Sequence, residues 1–141
     1  MADDVLINKA ATIERCVARA HEEYAANPSG FAEDYTRQDA AILNIQRACE
    51  AALDMGQHVI HRERLGVPQS ARDVFTLLSQ GEWISHDLAD VLKRMVGFRN
   101  IAVHDYKQLQ MPITVSITQH HLDDFLVYSK RLLQHDSLQK K

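Results

Sequence analysis

Arg99 to Tyr106 read R-N-I-A-V-H-D-Y, and within that stretch lie a fixed cation, an amide, an imidazole, a carboxylate and a phenol. An arginine and a histidine with no carboxylate cluster and no cysteine nearby suit chemistry on a phosphodiester better than acyl or metal chemistry. A neutral imidazole at His104 can take the proton from a ribose 2′-hydroxyl, while the guanidinium fork of Arg99 stabilises charge on the phosphoryl oxygens. Cleavage of RNA by that route needs no metal and leaves a 2′,3′-cyclic phosphate. It also needs an acid for the departing oxygen, and the motif holds one histidine, so a symmetric dimer would have to supply the second. Asn100 and His104 are four apart, so on a helix the amide can hold one imidazole nitrogen and leave the other free. Arg99 and His104 are five apart, about 140° round an ideal helix, so a direct pair requires a bend between them. On spacing alone the same residues also describe a helix C-terminus, where the macrodipole favours cations.

The elements that must position these residues are helical. Leu6, Ala10, Ile13, Val17, Ala20 and Tyr24 form one stripe that ends near A-N-P-S-G. Thr36 with Asp39 reads as a capping box opening a second long helix to about Arg62, striped by Ile42, Ile45, Cys49, Ala52, Gly56 and Val59. The two lengths predict an antiparallel hairpin. Ser70 and Asp73 cap a shorter helix bearing Val74, Leu77 and Leu78, which Gly81 ends. A fourth helix from about Ser85 buries Leu88, Val91, Met95, Phe98 and Ala102 and runs into the motif. After Pro112, as an N1 or turn residue, a last helix carries Ile117, Phe125, Tyr128 and Leu132, with D-S-L-Q-K-K expected to fray. No segment alternates as a strand. The expected architecture is all-α: an up-and-down four-helix-type bundle with an additional short helix, in one domain over 1–141.

Composition narrows the function classes. The net charge of -3 disfavours a protein that coats nucleic acid by broad phosphate neutralisation, although a local basic patch is compatible with it. The acidic start M-A-D-D-V-L-I-N-K has neither a basic region nor a long apolar one, and no apolar run is long enough to span a bilayer, so the expectation is a cytoplasmic protein without a membrane anchor. Cys16 and Cys49 sit in apolar helical patterns and read as reduced core thiols.

R-N-I-A-V-H-D-Y matches R-x4-H-x-Y, the signature of the HepT-like toxins of the HEPN superfamily, and the resemblance extends along nearly the whole chain. T-R-Q-D-A-A-I-L-N-I-Q-R-A-C-E-A (residues 36–51) is similar to that family's second helix, and P-Q-S-A-R-D-V-F-T-L-L (residues 68–78) to the segment that follows. The resemblance implies a helical, metal-independent endoribonuclease toxin without a cofactor. It further implies a homodimer with a composite cleft and a minimal nucleotidyltransferase (MNT) antitoxin as partner. Carried over by position, Arg99 and His104 are the catalytic pair, Asn100 supports them, and Tyr106 is the tyrosine the antitoxin adenylylates. AMP on that phenol would add bulk and negative charge where an RNA phosphate must sit. Lys93, Arg94 and Lys107 are expected to gather around the motif as RNA contacts, with Arg62, Arg64 and Arg72 as candidate rims.

Other constellations carry less. His58 with His61, and His120 with His121, fall short of the three or four ligands a zinc site needs, and His121 is expected on the apolar stripe of the last helix. Asp123 and Asp124, about 100° apart on a helix, do not make a paired-carboxylate site. Trp83 is expected to pin the short helix to the bundle. The alternative function is a non-enzymatic HEPN-type binding module that presents substrate to a partner nucleotidyltransferase. An intact base and fork favour the enzyme.

Overall fold

A computed structural model of the chain describes residues 3–104 and 111–139. Four long helices, α1 (Asp4–Ala25), α2 (Tyr35–Glu63), α4 (His86–His104) and α6 (Asp124–Gln139), form the bundle. The shorter α3 (Ala71–Gln80) packs on α2 and α4, and α5 (Met111–Ser116) precedes a π-helical turn at Ile117–His121. Among the described residues there is no strand.

The α1 stripe is buried from Leu6 to Ala20, and Asp3 caps the helix by accepting from the backbone N–H groups of Val5 and Leu6. Ion pairs fix the antiparallel register of the first hairpin: Asp3 meets Arg62 at one end, Lys9 meets Asp54 midway, and Glu23 meets Arg37 at the other end. Every residue of the expected α2 stripe is buried. Gly56 lies where α2, α3 and α6 crowd together, since a Cβ there would stand 2.6 Å from Val74 and 2.7 Å from the Tyr128 hydroxyl. That hydroxyl donates to the carbonyl of Ala52 at 2.7 Å, which ties α6 to α2. Cys16 and Cys49 are free thiols in the core.

Four local expectations are corrected. Asp34, not Thr36, caps α2, because the longer reach of the earlier carboxylate meets the Arg37 N–H and leaves Thr36 inside the helix. On α4 the buried face is wider and shifted: Ala89, Leu92 and Val96 are buried while Leu88 and Val91 are half-buried, because the helix is flanked by α2, α3 and α6 together. The last helix is not continuous. The π turn, with Leu122 N–H bonded to the carbonyl of Ile117 at 2.9 Å, resets the phase so that Leu122, Phe125, Tyr128 and Leu132 all face the core. The tail is helical to Gln139, because Asp136 is drawn inward to Arg62.

Candidate active site

Arg99 to His104 of the motif occupy the last turns of α4. The helix continues through His104, so the bend that would join Arg99 directly to His104 is absent and the two side chains leave the axis about 140° apart. Arg99 turns toward α2. Its Nε donates to Glu50 Oε1, and its Nη1 donates to Asn100 Oδ1 at 2.7 Å. Among the described residues nothing accepts from Nη2. The Glu50 hydrogen bond raises the Arg99 pKa above its ordinary value, with burial opposing and the Glu50 charge assisting.

His104 is exposed, and among the described residues no group hydrogen-bonds its ring. The expectation that Asn100 orients this imidazole is therefore corrected: its amide oxygen goes to the guanidinium, a charge-assisted donor and hence the stronger claimant. Also corrected is the absence of a cysteine near the motif, since α2 brings Cys49 beside Arg99, together with the single carboxylate of Glu50. Burial pushes the Cys49 thiol up to about 12, with Arg99 pulling the other way, so it stays protonated and is no nucleophile. Glu50 is the functional residue the sequence reading missed. Its one signal is a carboxylate placed directly after a buried stripe position.

The expected basic cluster separates into different directions. Lys93 is half-buried on the side of α4 that meets α3, where Arg72 reaches over to its carbonyl at 3.3 Å. Arg94 points elsewhere, into the wall of an apolar recess of about 470 Å³ between α4 and α5 that also includes Met95, Phe98, Ile113 and His121. His121 is thus not a core residue. Its side chain is 44% exposed, and its Nδ1 lies 3.4 Å from Asp124, because the π turn rotates it off the buried stripe. Arg62 is removed as a rim by three carboxylates. Asp105, Tyr106 and Lys107 lie outside the described residues.

The remaining candidates are structural. His58 bonds Asp3 at 2.7 Å, and Trp83 is buried against His135, with Arg62 5.9 Å from its ring centre. Among the described residues no group of three or more His, Cys, Asp or Glu could hold a metal ion.

What the geometry offers is a guanidinium fork held by Glu50 and Asn100 and an exposed imidazole, on a helical frame whose sequence matches a known family. A family profile described as Ribonuclease HepT-like matches residues 13–132. The chain belongs to the HepT-like family. The mRNA nuclease HepT of Shewanella oneidensis is 52% identical over 123 residues, covering 87% of this chain and 92% of the relative. A solved structure of the tri-AMPylated Shewanella oneidensis HEPN toxin in complex with MNT antitoxin has a TM-score of 0.88 at 49% identity, covering 92% of this chain and 97% of that one. A toxin-antitoxin crystal structure with AMP-PNP gives 0.88 at 48% identity, covering 92% and 98%. The HepT-like assignment agrees with the all-helical architecture. No helix among the described residues is long and apolar enough to cross a membrane.

Proposed function

We propose that this chain, acting as one helical domain, is the toxin of a HEPN/MNT pair and cleaves RNA in the cytoplasm without a metal ion. The observation that carries the reading is the state of the R-x4-H pair: a guanidinium oriented by Glu50 and Asn100, with nothing accepting from Nη2 among the described residues, and an imidazole exposed on the same helix. His104 takes the 2′-hydroxyl proton, the 2′-oxygen attacks the adjacent phosphorus, and the 5′-oxygen leaves, giving a 2′,3′-cyclic phosphate. Arg99 binds the non-bridging oxygens as their charge grows. Because Arg99 and His104 diverge on a straight helix, one copy does not surround a phosphate. A second copy would supply the complementary histidine as the acid that protonates the leaving oxygen, which supports a homodimer. The apolar recess beside the motif, with Ile101 41% and Ile113 50% exposed, is the surface we assign to that second copy.

The partner is an MNT-type nucleotidyltransferase antitoxin, as in the relative described as an AMPylated toxin bound to one. It would transfer AMP from ATP to the phenol of Tyr106, releasing pyrophosphate and placing a phosphate two residues from His104, where it competes with RNA for Arg99. Unmodified protein should cleave RNA in the presence of a chelator, and His104→Ala should lower the rate by at least about a hundredfold. Equal inertness of wild type and His104→Ala would sink the enzyme in favour of the non-enzymatic binding module. With the partner and ATP, the peptide containing Tyr106 should gain AMP mass, and Tyr106→Phe should abolish the gain.

A further inference from the structure

Among the described residues, Arg72 is one of several cations with no carboxylate within ion-pair distance, and what sets it apart is where it lies. Arg72 of α3 is laid over α4, its Nε donating to the backbone carbonyl of Lys93 at 3.3 Å. Gly97 makes room for this crossing: a Cβ there would stand 3.0 Å from the Arg72 Nη2, so any side chain would press on the guanidinium.

The placement is directional. Lys93, Gly97, Asn100 and His104 follow one another at steps of four, three and four, which puts them on one face of α4. At 1.5 Å per residue, Gly97 is roughly 10 Å along the axis from His104, a nucleotide or two of RNA backbone. An exposed guanidinium fixed on α4, aligned with an exposed base on a HepT-like fold, fits a polyanion passing along that face.

We propose that Arg72, laid across α4 at Gly97 beside Lys93, binds a backbone phosphate of the RNA one or two nucleotides from the bond cleaved at His104. The α3–α4 face is then the track along which single-stranded RNA enters, read through its phosphates and not its bases. This rests on the endoribonuclease reading for its substrate, and its test is a binding measurement that does not require cleavage.

The full-length His104→Ala protein, with and without Arg72→Gln, is titrated with a fluorescent single-stranded oligoribonucleotide across a salt series. Removing one cation from a phosphate should weaken binding about five- to tenfold at low salt and reduce the slope of log K against log salt by about 0.7. In the cleaving protein, Arg72→Gln should raise KM with kcat unchanged, because the group is remote from the reacting atoms. Gly97→Ala, which keeps the charge and displaces the guanidinium by a few tenths of an ångström, should weaken RNA binding two- to threefold. An unchanged salt slope in Arg72→Gln overturns the proposal. So does unchanged RNA binding with a weakened nucleotidyltransferase complex, since the face would then be a protein-docking surface. If wild type proves unable to cleave RNA, the catalytic reading falls, while an Arg72-dependent slope still supports the phosphate interaction.

Discussion

Arg62 and Arg99 show how the same chemistry can be closed in one place and left open in another. Both are partly buried arginines with a histidine within five residues and carboxylates within reach. At the pole where α1 begins and α6 ends, all three nitrogen groups of Arg62 meet carboxylates: Glu63 at 3.2 Å, Asp3 at 2.7 Å and Asp136 at 2.7 Å. His58 adds to the same Asp3 oxygen at 2.7 Å. Partial burial works to raise the Asp3 pKa, yet the His58 hydrogen bond and charge together with Arg62 hold it at about 2. At the end of α4, Arg99 has among the described residues one carboxylate, one neutral amide and nothing accepting from its third nitrogen, and His104 is exposed. A cation surrounded by acids pins helices together. A cation with one acid keeps its orientation and can still attract a phosphate.

The sharpest way to break this contrast is to make one substitution in both places. Arg99→Lys keeps the charge but loses the fork, so RNA cleavage should fall by at least about a hundredfold with little change in Tm. Arg62→Lys should leave cleavage per folded molecule intact but cost about 2 kcal/mol, lowering Tm by about 8 °C in thermal unfolding, because one lysine cannot serve Asp3 and Asp136 together. If the effects are exchanged, the assignment of the two sites is reversed. Next in size, Glu50→Ala should slow cleavage about tenfold at nearly constant Tm, since the guanidinium loses its orientation; faster cleavage would mean that Glu50 competes with the substrate instead. The smallest effect concerns pH. Asp3 has a folded-state value below the ordinary 3.9 of a free carboxyl, so its stabilisation is complete above about pH 4 and is lost as pH falls through about 2. Asp3→Asn should remove about 1 kcal/mol of that acid-sensitive stability, seen as a Tm that changes less than the wild type's between about pH 5 and pH 2.5.

The helical architecture was readable because its signals are local. The stripes of α1 and α2 repeat at helical spacing, and Ser70 and Asp73 behave as the capping pair their types suggest, with Ser70 accepting from the Asp73 N–H and Asp73 accepting from the Gln69 N–H. Where several elements share one helix, periodicity was a poorer guide: α4 buries Ala89 and Val96 because neighbours flank it on several sides, which a single stripe does not express. The π turn was invisible for a related reason. Its extra residue is held by packing of the segments on either side, so His121 left the stripe on which a continuous helix would place it.

The motif shows the same division. Residue types and order sufficed to nominate Arg99, Asn100 and His104 as candidates, because phosphodiester chemistry needs a fork and a base and those are properties of side chains. Their partners are another matter. Glu50 is 49 residues from Arg99, and Arg72 is 21 from Lys93, and nothing local links either pair. By itself, then, the sequence determined the long helices, the cap of α3 and the chemical inventory of the motif, all of which follow from interactions within a few residues. Only the tertiary structure decided which arginine is neutralised and which stays open, because charge compensation depends on distance through space, and packed helices set that distance independently of separation along the chain.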